Sequence, residues 1–382
     1  MKIAYVHTGL WPSNSPSLTF ASLTAHALAL EGQSCHFYIR CNSDLTGVEV
    51  FQKYFNLQIP ANLFIHQGAP KGTLNTNRLY FHWVYKNLLR LIEAGEIDVV
   101  ISRNPTFLPW LAKLKKKFQI QTWFESHDFF ADPSVRTDLK KPRKKQMHLE
   151  RKYIPRISGV ICLQNSQIEL YQRCFPKSRI ILARTGVLSV RKKVAADANC
   201  VGYIGSLDWH KGVDILIEAA SRSASRPHVL IIGGKNQLEI DDFLAKIKPE
   251  FRERIEITGW LKREELEQEM QKMRVGIVPL RDTFFNRYLT SPLKIFDFFA
   301  AGIPVIAPDF PTMRELIDAN KTGLIFEPGN PTSLAEKIDL IFGNQNKHAA
   351  MNEAVMAKAG TLLWSERAKV LLKNFKKVAD EE

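Results

Sequence analysis

TSPLKIFDFFAAGIPVIAPD, residues 290–309, reads as loop, short helix, glycine turn and strand. Ser291 is a fair helix N-cap, and Pro292 sits where the first helical turn tolerates proline. Leu293, Ile295, Phe296, Phe298 and Phe299 make the helix largely apolar, with only Lys294 and Asp297 charged. Gly302 ends it, and Ile303–Ala307 is the β-branched run of a buried parallel strand. A helix this apolar is buried, so its two charges need partners. Three residues apart, they share one face. The N-terminus of a buried helix bearing a lysine suits a phosphate. A carboxylate one turn further suits a pair of sugar hydroxyls, and a nucleotide sugar presents both groups.

Outward from that stretch the chain alternates strand and helix. Lys2–His7, a helix Leu18–Leu30 and Ser34–Arg40 open it as a βαβ unit. No G-x-G-x-x-G follows the first strand, which argues against a dinucleotide site. Asp98–Ser102, Thr122–Glu125, Gly159–Leu163 and Ile180–Ala183 continue the pattern. It restarts at Cys200–Ile204 and runs through His228–Ile232, Ile255–Thr258 and Val275–Pro279 to Gly323–Phe326. Alternation restarted midway predicts two doubly wound α/β domains, with the linker near Thr185–Asp197. Ligands of open parallel sheets bind beyond the carboxyl ends of the strands, so the two domains are expected to face each other across a cleft.

The 382 residues are enough for two domains. Hydrophobic content of 45% with 24% charged residues fits an ordinary soluble globular protein. No apolar run is long enough to span a bilayer, and MKIAYVHTGLWP reads as a first strand rather than a signal peptide. Cys35, Cys41, Cys162, Cys174 and Cys200 are odd in number and lack metal-like spacing, so they read as reduced thiols in a cytoplasmic protein. The formal net charge of +14 invites anionic partners.

Residues 290–309 resemble the donor-binding motif S-P-x-K-x-x-E-x-x-A-x-G-x-P-V-I of the retaining glycosyltransferases of family GT4, which have the GT-B fold. The resemblance implies two Rossmann-like domains. Residues 1–185 would bind the acceptor and 186–360 the nucleotide sugar, and the helix in 361–382 would cross back onto the first domain. It implies that the loop and helix start, Ser291, Pro292, Leu293 and Lys294, bind the donor diphosphate and that Asp297 binds the ribose. Asp297 stands where the family has Glu, and Leu289 where it has an earlier Glu. YIGSLDWHKG, residues 203–212, is similar to the family's Y-x-G-R-L-x-x-x-K-G, whose Arg and Lys neutralise the leaving diphosphate. Gly205, Lys211 and Gly212 match. Ser206 replaces the arginine and loses a bidentate clamp, leaving Lys294, Arg281 or Arg287 to supply that charge. IIGGK, residues 231–235, matches the loop that nears the nucleotide, through Gly233, Gly234 and Lys235. Trp260 and Leu261 in TGWL fall where the family holds the base through backbone groups.

In the first half, His127 of ESHD falls where the family places a histidine beside the donor sugar. Its implied role is binding and positioning. Arg103 lies in the same layer and is the candidate to meet an anionic group of the acceptor. Arg136–Arg156 holds nine Lys/Arg against two Asp/Glu, a net +7. That cluster suits an anionic lipid surface or a phosphorylated lipid-linked acceptor. Nucleic acid would need interleaved aromatics, which one tyrosine does not provide.

The resemblance thus implies retaining, hexosyltransferase-type transfer from a nucleotide sugar to a glycan or lipid-linked acceptor. His127, Lys211 and Lys294 would serve catalysis in the cytoplasm, at the inner face of the membrane. No cofactor is expected, and with no Asp-x-Asp no metal either, so cationic side chains and helix dipoles would do that work. Two rivals stand beside it: a GT-B sugar-nucleotide epimerase, and a non-catalytic nucleotide-sugar or RNA-binding protein.

Overall fold

Thirteen strands among the described residues pair only with parallel neighbours. The computed structural model describes residues 1–13, 15–42, 44–69, 76–141, 143–190, 198–208 and 211–381. Strands β1 (Lys2–Trp11), β2 (Ser34–Cys41), β3 (Leu63–Gly68), β4 (Val99–Ser102), β5 (Gln121–Glu125), β6 (Gly159–Cys162) and β7 (Ile180–Leu182) form one sheet, in the order β3-β2-β1-β4-β5-β6-β7. Strands β8 (Cys200–Ile204), β9 (His228–Ile232), β10 (Ile255–Ile257), β11 (Met273–Ile277), β12 (Val305–Pro308) and β13 (Gly323–Phe326) form the other, ordered β10-β9-β8-β11-β12-β13. Both orders reverse once, between β1 and β4 and between β8 and β11. Each reversal is the point where an open parallel sheet leaves a crevice at its carboxyl edge.

Two units carry these sheets: Met1–Gly186 with Trp364–Glu382, and Val187–Leu363. Of the expected linker, residues 191–197 lie outside the described residues, as do Trp209 and His210 of the YIGSLDWHKG stretch and Pro142 of the basic segment.

In the first unit the last helix, Trp364–Glu381, buries Leu371, Leu372, Phe375 and Val378. The Phe375 ring lies 5.2 Å from that of Trp123 on β5, and its carbonyl accepts from Gln121 Nε2 at 2.7 Å. The chain therefore returns to the first sheet after building the second.

β3 escapes a sequence reading because it is an edge strand. LFIHQG has no clean alternation, and Phe64 is 45% exposed. β1 runs on to Trp11, past its expected end at His7, because Leu10 and Trp11 still pair with Arg40 and Cys41.

In the second unit, helices cover both faces of the sheet and form two buried clusters. The helix Leu293–Ala300 packs so closely on β11 that a Cβ at Gly276 would lie 2.5 Å from the Phe298 ring. This contact fixes the height of the helix above the sheet, and with it the position of Lys294. The five cysteines are unbridged; Cys35, Cys41 and Cys162 are buried and the other two half-buried.

Candidate functional site

The loops after β8, β9 and β10 lie edge to edge at the carboxyl side of the second sheet. Gly205 N donates to the Ile232 carbonyl at 2.9 Å, and Gly233 bridges to Gly259. The approach is too close for side chains. A Cβ on Gly233, whose φ is 149°, would sit 1.9 Å from the Gly205 carbonyl oxygen. Gly234 is likewise shut in by Ile240. Backbone, rather than side chain, thus lines this edge. Leu261 packs onto the core while Trp260 stands 56% exposed.

Lys294 enters from the helix on the other side of the reversal. That helix begins at Leu293 with Pro292 as its N-cap, one residue later than expected, so Ser291 belongs to the loop and is not the cap. Ser291, Pro292 and Leu293 are half-buried on the way in. The Lys294 amine is enclosed and makes no hydrogen bond among the described residues. It lies 3.9 Å from the centre of the Tyr203 ring, which offers only a cation–π contact. Burial first, and then the positive charge of Lys211, hold its pKa well below the usual lysine value. Burial also lowers Lys211, against a pull upward from Asp208. The enclosed Lys294 amine thus sits near the half-buried Lys211, and it has no hydrogen-bond acceptor among the described residues.

Neighbouring charges are already committed. Ser206 Oγ donates to Asp208 at 2.7 Å, and Lys235 reaches the other oxygen of the same carboxylate at 3.0 Å. Lys235 also lies 3.5 Å from Glu239. Arg281 pairs with Asp214, and Arg287 with Asp282 while stacking on Phe310. Of the three cations weighed to offset Ser206, Lys294 alone is enclosed beside Lys211. Leu289 is buried and can only pack.

Asp297 is held by a residue that sequence reading missed. Arg263 Nη1 donates to Asp297 at 3.0 Å while its Nε donates to Glu267 at 2.8 Å. The pair Arg263–Glu267 was legible as an i,i+4 pair, but its cross-helix partner was not.

His127 and Arg103 lie in the first unit, at the carboxyl side of β5 and β4. His127 Nε2 is 2.7 Å from Glu125 Oε1. Burial and the nearby Arg103 outweigh the pull of Glu125 and bring the imidazole down to about 4, so it is neutral at pH 7. Arg103 donates to the Ser17 carbonyl at 2.7 Å and lies over the Phe20 ring.

The basic segment is less uniform than its composition. Arg136 is buried, bound to Asp128, Asp138 and the Phe129 carbonyl. Glu150 is buried too; it accepts from Phe130 N at 2.8 Å and Tyr171 OH at 3.0 Å, and burial pushes its pKa up to about 8. Lys140, Lys141, Arg143, Lys144, Lys145, Arg151, Lys152 and Arg156 are exposed.

Residues 198–344 match the family model described as Glycosyl transferases group 1. The chain is 26% identical over 204 residues to an uncharacterized glycosyltransferase, MJ1178, of Methanocaldococcus jannaschii, covering 53% of this chain and 55% of that one. It is 31% identical over 118 residues to the chitobiosyldiphosphodolichol beta-mannosyltransferase of Candida albicans, covering 29% and 25%. The chain spans about half the length of the first of these curated relatives and a quarter of the second. Among solved structures, HepE of Anabaena in complex with UDP superposes with a TM-score of 0.71 at 16% identity, over 99% of this chain and 100% of that one. The architecture is GT-B, as the motifs imply.

Proposed function

We propose, for a chain whose residues 198–344 match the group 1 glycosyltransferases and which has the GT-B fold, that it moves a hexose from a nucleoside-diphosphate sugar to a glycan or lipid-linked hydroxyl. The observation that carries this reading is the enclosed Lys294 amine, without a hydrogen-bond partner among the described residues, beside Lys211 at the sheet reversal. An enclosed amine in the first turn of one helix and a half-buried lysine just ahead of another favour a doubly charged anion over water. The relative names lend support, since HepE was solved with UDP and the Candida enzyme's name specifies a diphospholipid-linked sugar.

In the reaction proposed, the bond from C1 to the diphosphate oxygen breaks first, and Lys211 and Lys294 neutralise the charge that develops on that oxygen. The acceptor hydroxyl then forms its bond to C1 on the same face, which retains the configuration. Its proton passes to the departing phosphate oxygen, so no protein nucleophile is required. Transfer assays with anomer-resolved products, run in excess EDTA, test retention and metal independence together. Binding without turnover would instead favour a non-catalytic nucleotide-sugar binder.

Asp297 is assigned to the ribose hydroxyls, with Arg263 orienting it. Asp297→Asn keeps the shape and weakens charge-assisted hydrogen bonds, so nucleoside diphosphate affinity is expected to fall by about 1–3 kcal/mol. Equal affinity in titration calorimetry would remove Asp297 from the site.

The eight exposed cations of the basic segment are assigned to an anionic membrane surface, each contributing about 1 kcal/mol and screened by salt. No helix among the described residues is long and apolar enough to cross a membrane. Sedimentation with anionic but not neutral vesicles is expected, and it should be lost when Lys140, Lys141, Arg143, Lys144 and Lys145 become Gln. Unchanged sedimentation of that variant would leave the segment a merely solvated face.

A further inference from the structure

The carboxylate of Glu125 is completely buried at the end of β5, and three groups from distant parts of the chain converge on it. Tyr5 OH of β1 donates to Oε1 at 2.8 Å, His127 Nε2 lies 2.7 Å from the same oxygen, and Arg367 of the last helix donates to Oε2. Burial alone would raise this carboxyl. Arg367, the hydrogen bond to His127 and Arg103 overcome burial and hold it at about 2, so it is an anion at any working pH. An acceptor-only carboxylate facing a neutral imidazole requires the proton to be on Nε2. Arg367 is itself locked by the carbonyls of Ala183 and Arg184 and lies over the Phe20 ring. Phe20 in turn meets the His127 ring edge-on at 4.7 Å and the Trp364 ring at 5.2 Å. The last helix therefore reaches His127 by two routes, one ionic and one through packing.

We propose that Glu125, anchored by Arg367, is a positioning residue that fixes His127 as its neutral Nε2–H tautomer. Nδ1 is then left to accept a hydrogen bond from a sugar hydroxyl. The inference rests on the reading of His127 as a donor-sugar contact only for its effect on rate. The tautomer itself can be read without turnover. A carboxylate that orients a histidine is second in line from the substrate, yet such partners commonly control the ring that touches it. Here that partner is held by a helix nearly 240 residues further along the chain.

The charged and titratable groups around the imidazole are Tyr5 and His7 of β1, Arg103 after β4, Glu125 of β5 and Arg367 of the last helix. Arg367 and Arg103 oppose protonation of His127, and Glu125 favours it. Removing Arg367 while keeping Glu125 therefore shifts the imidazole titration upward. The test uses the full chain and three variants: Glu125→Gln, Arg367→Met and Arg367→Lys. Long-range proton–nitrogen NMR of the His127 ring is expected to show the Nε2–H tautomer in the wild type and to lose it in Glu125→Gln. For Arg367→Met the imidazole titration is expected to move to higher pH, with Arg367→Lys close to wild type. In transfer assays Glu125→Gln should lower kcat at least tenfold with donor KM within twofold. The acidic limb of the kcat profile should move upward in Arg367→Met. An Nδ1–H tautomer in the wild type, or a His127 titration unmoved by Arg367→Met, would overturn the proposal. Should Arg367→Met fail to fold, the double variant Glu125→Gln/Arg367→Met removes both buried charges. It must then show the same loss of tautomer, and retention of Nε2–H there would overturn the proposal. If the ring behaves as expected but His127→Ala leaves transfer unchanged, it is the sugar-contact reading that fails.

Discussion

Lys294→Met is expected to raise the melting temperature of the protein while lowering sugar transfer by about 10²–10³-fold. The two effects share one cause. The Lys294 amine is enclosed, lacks a hydrogen-bond acceptor among the described residues and lies beside the positive Lys211. A buried polar group left unsatisfied costs about 1–3 kcal/mol, and methionine of similar length removes that cost while filling the space. For a unit of this size each kcal/mol is worth about 2–4 °C. The same change removes a charge placed where the leaving diphosphate would develop its own. Lys211→Ala is expected to lose transfer comparably but to gain less stability, because Asp208 partly compensates Lys211 in the free protein. Scanning calorimetry beside a transfer assay checks the pair of signs. A Lys294→Met variant that is less stable and fully active would show the amine to be structural.

Gly233→Ala carries the second large effect. One methyl group is added, but it would lie 1.9 Å from the Gly205 carbonyl oxygen at a φ of 149° that side chains avoid. The β8 and β9 loops must separate or the strand ends must shift, at roughly 3 kcal/mol or more. Gly329→Ala is the control. Its φ of 73° is also positive, but a Cβ there meets nothing within 4 Å. It should cost only about 1–2 kcal/mol, the usual penalty of a left-handed residue. Chemical denaturation of the two variants separates collision from backbone preference. Equal costs would mean that the loops do not need their close approach. A folded remnant of Gly233→Ala should also bind nucleoside diphosphate poorly, because backbone lines that edge.

The pattern of success in reading the chain follows from where the information resides. Local signals were sufficient to single out Lys294 and Asp297 as the only charges on an apolar helix, and to find the central strands as short, largely apolar segments between helices. Interactions between distant residues left no local mark. Arg263 looks like half of an ordinary helical ion pair until the helix carrying Asp297 is laid beside it. Glu125 reads as a strand end, and only the return of the last helix brings Arg367 onto it. Composition also misled at Arg136 and Glu150, which count toward an exposed basic segment but are buried in hydrogen-bonded positions. The edge strand β3 was missed because half-exposed strands carry little hydrophobic pattern. The N-cap displaced from Ser291 to Pro292 is a boundary effect, for the proline ring already supplies the φ that a helix start needs.

The central claim is that the enclosed Lys294 amine and the neighbouring Lys211 form a diphosphate site. Titration calorimetry of UDP, GDP and ADP into the wild type and into Lys294→Met tests it most directly. At least one nucleoside diphosphate is expected to bind the wild type, with at least tenfold weaker binding to the variant. If none of the three binds, or the preferred one binds both proteins equally, the lysine pair does not hold a diphosphate and the account is contradicted.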